Sequence, residues 1–224
     1  PRAIFASANG YVTKGQPLAV SDDDVTLRLQ PGGVVRGRVL DAQRRPLVAA
    51  VFAVTNGEPH QARTGPDGTY ELKGLPQGRF VVRAHARGTP GAAPPSFTPQ
   101  EVEVGPLADV TIDLVARSGG GSLRVRAVAE TVTPVVLVPG DAALPQKTDD
   151  LPALFMRAER GVNEGDEWVF HHLPPGTYSV FVTQSVERGL RMHRELVRIT
   201  DEAARSLQVA LPNTAHVIRF EPHE

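Results

Sequence analysis

The stretch GPDGTYELKGLPQGRFVVRA (65–84) joins two tight turns to two runs in which apolar and polar residues alternate. In GPDG, proline fixes φ at the second turn position, the aspartate can bond its own backbone, and Gly68 supplies positive φ. In LPQGRF, the leucine points into a core and Gly78 permits a turn that other residues would strain. We therefore predict a hairpin and a corner, with Phe80 on the core face of the next strand.

The same pattern returns as EGDEWVFHHLPPGTYSVFVT (164–183). A separate landmark also recurs, as DVTLRL (24–29), DVTIDL (109–114) and SLQVAL (206–211), each segment following a short strand and a polar turn. Both landmarks repeat at a spacing of roughly 85–98 residues. Two independent features with one period predict tandem modules.

Apolar residues alternate with period two along most of the chain, in short runs that end at Gly, Pro, Asn or Asp. This pattern is typical of strands, and only TDEAARSL (200–207) favours a helical turn. Strands this short hide their apolar faces by stacking two sheets or closing a barrel. The predicted fold class is all-β, with tandem antiparallel β-sandwich modules.

The repeat also predicts the domain boundaries. We expect the C-terminal strands of a preceding repeat at 1–30, a complete sandwich at 31–117, a second, divergent sandwich at 118–213, and a C-terminal strand or tail at 214–224. AHVIRF (215–220) stands where the first strand of another module would begin. The second sandwich is longer by about 12 residues, and the surplus near 139–152 predicts an inserted surface loop.

Composition excludes several classes of function. The formal net charge is −1 at pH 7, so no basic excess exists to bind nucleic acid. The chain has no cysteine, which removes disulfides, thiolate catalysis and cysteine-ligated zinc. It also has no apolar run of the length that a membrane span requires.

Few residues suggest chemistry. His171 and His172 are adjacent, so in a regular strand they face opposite sides and cannot chelate together, although either could join His193 or His216 at a metal. SDDD (21–24) is better explained as a solvated turn than as a calcium loop. No GxSxG motif occurs, and no Ser, His and acid form a set. We predict no catalytic, cofactor-binding or metal-binding residues, no cofactor and no enzymatic activity.

Residues 32–88 resemble a carboxypeptidase regulatory-like domain, the transthyretin-like β-sandwich that is also related to Cna B-type repeats. The matching positions are Gly37 and Val39 in the first strand, the LPxGxF corner, and a T-x-x-DGxY hairpin formed by Thr64, Asp67, Gly68 and Tyr70. The resemblance implies a transthyretin-like or Ig-like antiparallel sandwich of about seven strands. It also implies a non-catalytic module of secreted or envelope proteins.

Some Cna B-type domains carry an isopeptide bond from a lysine on the first strand. Here the first strands of the two modules offer Arg36 and Arg38, and Arg124 and Arg126. A guanidinium does not act as an amine nucleophile at neutral pH. We therefore predict no intramolecular isopeptide bond.

The expected function is that of a non-catalytic scaffold, adhesion or protein-interaction region of a bacterial extracytoplasmic protein. Linkers such as QPGG and RSGGG would set the angle between modules, and another envelope or surface protein is the expected partner. The alternatives are a carbohydrate-binding module and an accessory region of a larger secreted enzyme or secretion apparatus. Specific function is expected in the loops, above all in 139–160, where Leu154, Phe155 and Met156 form either an exposed apolar patch or a buried strand or helical turn.

Overall fold

The computed structural model describes residues 2–18, 25–54, 60–88, 93–128, 134–200 and 204–220. Within them the chain is all-β with several antiparallel sheets, so the predicted fold class is confirmed. Two compact units are present: Pro1–Pro90 with Phe97–Ala116, and Gly91–Ser96 with Arg117–Glu224. The domain boundaries read from the repeat stay a prediction.

The described residues of the first unit form ten strands: β1 (Arg2–Ala6), β2 (Lys14–Leu18), β3 (Gly33–Leu40), β4 (Ala49–Val54), β5 (His60–Arg63), β6 (Thr69–Leu75), β7 (Gly78–Ala86), β8 (Gln100–Val104), β9 (Asp109–Thr111) and β10 (Leu114–Val115). One sheet has the order β10-β3-β6, with β9 also paired to β3, and a second has the order β5-β4-β7-β8. Strands β1 and β2 pair only with each other.

The core of the first unit lies between its two larger sheets. Val35 and Leu72 enter it from one sheet, and Val51 and Phe80 enter it from the other, all fully buried. Each such side chain contributes about 1.5–3 kcal/mol through its removal from water. The alternation read from the sequence therefore produces a two-sheet sandwich, with Phe80 on the core face as predicted.

Backbone hydrogen bonds join the β1–β2 hairpin to the segment that leads into β3. Val12 donates to the Gln30 carbonyl (2.9 Å), and Gly32 donates to the Gly10 carbonyl (2.9 Å). Residues 25–30 lie outside any strand, so the strand expected at DVTLRL (24–29) is absent from its described part. Local alternation there is not accompanied by strand pairing over residues 25–30.

Over the part of the second unit that the structure describes, there are one α-helix and eight strands: β11 (Gly121–Val128), β12 (Val135–Pro139), α1 (Leu151–Arg157), β13 (Val162–Glu164), β14 (Glu167–Leu173), β15 (Gly176–Val186), β16 (Gly189–Ile199), β17 (Ala204–Ala210) and β18 (His216–Arg219). A short 3₁₀ turn at Thr148–Asp150 precedes the helix. The sheets have the orders β13-β14-β11-β17 and β12-β15-β16-β18. Their shared core includes Leu123 and Phe170 from the first and Val180 from the second.

Each sandwich contains one parallel pairing between strands that are far apart in the sequence. Strand β3 runs parallel to β9 and β10, and β11 runs parallel to β17 from Ser122 opposite Ala204 to Val128 opposite Ala210. The helical turn predicted at 200–207 is therefore wrong over its described residues, 200 and 204–207. Alanine, glutamate and arginine favour a helix locally, but the backbone of β11 offers a full row of hydrogen-bonding partners.

The C-terminal strand belongs to the second sandwich. Strand β18 pairs antiparallel with β16, and its Ile218 is buried in that unit. AHVIRF (215–220) is thus an edge strand of this sheet, and it does not open a new module. No described helix has the length and apolar character required to cross a membrane.

Candidate functional site

The polar side chains of the hairpin motif form hydrogen bonds that hold its turn together. Buried Thr64 accepts a bond from the Ala49 amide (2.8 Å) and donates to the Leu47 carbonyl (2.9 Å). The Asp67 carboxylate accepts bonds from the hydroxyl and amide of Thr69, and the hydroxyl bond is the main cause of a lowered Asp67 pKa. Gly68 has φ +75°, as the turn requires. The motif therefore closes a turn and offers no reactive group.

The tyrosines of the two copies close the sandwiches in different ways. Tyr70 donates to the Ile112 carbonyl (2.7 Å), and burial raises its pKa. Tyr178 donates to the Pro174 carbonyl (2.8 Å) within its own corner, and burial raises its pKa to about 12. Both hydroxyls stay protonated at neutral pH as hydrogen-bond donors.

Gly78 and Gly176 occupy the same place in the two corners and share φ +157°. A Cβ added at Gly78 would meet no atom within 4 Å, so a substitution there is opposed by backbone strain alone. We expect Gly78→Val to lower the free energy of unfolding by about 1–3 kcal/mol, measured by urea denaturation. The neighbouring Arg79→Val is the control. If Gly78→Val unfolds at the wild-type urea midpoint, the prediction of backbone strain at this position is wrong.

The adjacent histidines lie at an irregularity of β14. The pairing of β11 with β14 shifts register between Gly121 and Leu123, and His172 has φ +55°. The rings of His171 and His172 are therefore only 6.3 Å apart, and the regular alternation that we assumed does not hold. Over the described residues, no group of three or more His, Asp or Glu side chains could hold a metal ion.

The remaining polar candidates lie apart from this pair. His193 Nε2 is 3.7 Å from Glu195 Oε1 on the same strand. His216 lies on β18, opposite Met192. The acidic run SDDD (21–24) lies outside the described residues.

His171 gives a pH-dependent prediction. Burial lowers its pKa, and the neighbouring charge of His172 adds to the effect. The folded chain then binds fewer protons here than the unfolded chain, whose histidine pKa is about 6.5, so stability is lost as pH falls below that value. We expect His171→Gln to lose less stability than wild type between about pH 7.5 and about pH 5.5, measured as urea midpoints. An equal loss in both proteins would contradict this.

The 139–160 insertion covers one face of the second sandwich. Leu151 and Leu154 of α1 pack with Phe181 and Met192, which lie on the side of their sheet opposite the sandwich core. The sequence left open whether Leu154, Phe155 and Met156 form an exposed patch or a buried segment. They lie on the helix, where Leu154 is buried and Phe155 is 43% exposed. The insertion is therefore chiefly a cover for an apolar sheet face.

Buried polar groups fix this cover in place. Ser179, fully buried on β15, accepts a bond from the Ala142 amide and donates to the Gly140 carbonyl, both at 2.9 Å. Near the end of the insertion, Glu159 forms a two-bond ion pair with Arg117 at 3.1 and 2.6 Å. Polar groups buried this deeply require such partners.

The corresponding sheet face of the first unit has a different composition. The repeat alignment and strand registers place Phe52 opposite Arg83, where the second unit has Val136 opposite Phe181. Phe52 is half-buried and contacts the ring of His85, with centroids 5.2 Å apart. The cationic Arg83 therefore occupies a position that is apolar and covered in the second unit.

A cleft of about 570 Å³ opens on this face. Its lining includes the small residues Ala49 and Ala50 and the larger residues Arg63, His85 and Arg87. The register sets Ala50 between Arg63 on β5 and His85 on β7, so a small side chain separates two larger ones. Sequence reasoning missed these residues, because they come together only through strand pairing. The one sequence signal that could have pointed to this face is the arginine, Arg83, at the position where the second repeat has Phe181.

Arginines on β3 and β11, the first strands of the two sandwiches, form ion pairs within their own sheets. Arg36 pairs with Asp109, Arg124 with Glu164 and Glu167, and Arg126 with Asp166. The two strands thus hold their arginines in salt bridges across neighbouring strands. The absence of an isopeptide bond stays a prediction.

The chain is similar to several solved structures. The TIE protein of Bacillus anthracis is 14% identical, with 85% of this chain and 35% of that chain covered and a TM-score of 0.32. A minor pilin of Streptococcus agalactiae is 12% identical, with 86% and 98% covered and a TM-score of 0.33. The major pilin subunit of Bacillus cereus is 13% identical, with 81% and 70% covered and a TM-score of 0.30.

None of the curated proteins matches the chain. One family model does match, and its description is the carboxypeptidase regulatory-like domain. The matched segment begins in β3 and ends just after β10, so it spans the first sandwich from its first strand to its last. The resemblance read from the sequence is thereby confirmed, and residues 34–117 of this chain match the carboxypeptidase regulatory-like domain family.

Proposed function

We propose that this chain is a non-catalytic β-sandwich repeat region of a bacterial extracytoplasmic protein, and that it acts as a scaffold and binds another protein. The observation that carries this is the difference between the two units. The second unit covers its outer sheet face with its own insertion, whereas the equivalent face of the first unit carries an open cleft. A sheet face and its edge strand are surfaces to which a protein segment can add.

The rest of the repeated stretch supports a structural role. Thr64, Asp67, Tyr70 and Tyr178 are each bonded to neighbouring backbone or turn groups. The matching family is one whose members usually serve as accessory modules of secreted or envelope proteins. An extracytoplasmic location and an envelope or surface protein as partner follow as parts of the same proposal.

A site-specific photo-crosslinker tests the function. It is placed at Gln61, an exposed residue on edge strand β5, and in a matched control at Gln208, an exposed residue on edge strand β17. Each labelled chain is irradiated with a bacterial envelope protein fraction. We expect a discrete adduct from Gln61 and none from Gln208.

The captured protein must then bind the unlabelled chain saturably when it is purified and titrated by surface plasmon resonance. A glycan array is run in parallel with the same chain. Defined glycan hits without a saturable protein partner would replace the scaffold with a carbohydrate-binding module.

A further inference from the structure

The cleft of the first unit combines cationic and aliphatic walls. Arg63 and Arg87 are exposed at its margin, Leu47 and Val48 form part of its lining, and Val48 is 55% exposed. Among the described residues that line it, none is acidic. Such a lining complements a ligand that carries both carboxylates and apolar side chains.

Over the described part of the chain, Arg63 and Arg87 are not held in ion pairs with neighbouring strands. Neither has an ion-pair partner among the described residues, whereas Arg36 and Arg194 pair with Asp109 and Asp141. A guanidinium presents a planar set of donors that matches a carboxylate. Two such groups on one cleft therefore provide places for two carboxylates of an incoming segment.

The second unit indicates what kind of molecule fits this face. There, the equivalent surface is occupied by a polypeptide segment, with Leu151 and Leu154 packed on it and the backbone of Gly140 and Ala142 bonded to Ser179. No Trp, Tyr or Phe is among the described lining residues of the first unit's cleft, so the flat aromatic platform that sugars stack on is missing. Both observations favour a peptide over a glycan.

We propose that the cleft bounded by Arg63, Arg87 and Val48 binds an acidic segment of the partner protein. Glutamate or aspartate side chains pair with the two arginines, and an intervening apolar side chain packs against Leu47 and Val48. This inference rests on the proposed scaffold function and names the chemistry of its partner.

The test measures fluorescence anisotropy of a labelled peptide of alternating glutamate and valine, titrated with the full chain. A peptide of alternating lysine and valine and a labelled polygalacturonate are titrated alongside. We expect binding of the acidic peptide that weakens with added salt, because charge pairing at an exposed cleft is screened. Tighter binding of polygalacturonate, or equal binding of the lysine peptide, would overturn the proposal.

Charge reversal locates the site. The variant Arg63→Glu/Arg87→Glu should weaken peptide binding at least about tenfold, since it places like charges opposite the ligand. The control Arg160→Glu/Arg219→Glu reverses two exposed arginines of the second unit and should change binding less than about twofold. Urea midpoints check that each variant is folded, and Arg63→Gln/Arg87→Gln provides a milder version with the same expected direction.

The two proposals fail separately. If a captured envelope protein binds wild type and Arg63→Glu/Arg87→Glu equally, the acidic-segment site is wrong and the scaffold function stands. If the acidic peptide binds the cleft but no envelope protein binds saturably, the scaffold function fails and the chemistry of the cleft stands.

Discussion

Replacing Gly37 with alanine should lower the free energy of unfolding by at least about 3 kcal/mol, a cost at the upper end of overpacking. A Cβ at this position would lie 1.8 Å from the Ile112 carbonyl oxygen and 2.5 Å from its carbon. These are backbone atoms, so no side chain can rotate aside. The carbonyl also accepts the Tyr70 hydroxyl, and the Ile112 amide donates to Arg36, so the segment is bonded in place.

The measurement is urea denaturation followed by circular dichroism. Gly105→Ala serves as the matched control, because its added Cβ would meet only the Ala108 Cβ at 3.9 Å. We expect the control to leave the midpoint nearly unchanged. A Gly37→Ala protein that unfolds at the wild-type urea concentration would show that β3 and Ile112 can separate at low cost.

Replacing Arg117 with methionine should lower the free energy of unfolding by about 3–5 kcal/mol, because it leaves a buried carboxylate without its partner. The side chains of Arg117 and Glu159 are 13% and 6% exposed. Replacing both residues, as Arg117→Met/Glu159→Leu, removes the unpaired charge and should restore much of the loss.

A double-mutant cycle in urea measures the coupling between the two side chains. The exposed pair Arg126–Asp166, at 50% and 70% exposure, is the control, and Arg126→Met should cost less than about 1 kcal/mol. Equal losses from Arg117→Met and Arg126→Met would contradict the prediction. A double variant less stable than Arg117→Met would contradict it as well.

Turn residues and apolar alternation in the sequence predicted the turns and the β-sandwich class. Gly68 has the positive φ that its turn demanded, and Phe80 is buried where alternation placed it. These features depend on a few neighbouring residues, which a sequence displays directly. The β-sandwich followed because strands with one apolar face require a second sheet.

Features that depend on contacts between residues far apart in the sequence could not be predicted from local patterns. Strand β15 is buried continuously from Tyr178 to Thr183, because the insertion covers the face that alternation assigned to solvent. Strand β17 reads locally as a helical turn, and its pairing with β11 overrides that preference. The cleft arginines are far apart in sequence and share a site only through the pairing of β4 with β5 and β7.

The parallel pairing of β3 with β9 and β10, and of β11 with β17, determines how these strands resist tension. Parallel neighbours begin at the same end of a sheet, so a pull on the start of one strand and the finish of the other slides them lengthwise. All the hydrogen bonds between them then resist together, as in a shear joint. The joint of the second unit runs uninterrupted over seven pairs, whereas that of the first is interrupted between Thr111 and Leu114. In single-molecule stretching with handles at the starts of β3 and β11 and at the ends of β10 and β17, the joint of the first unit should rupture at the lower force.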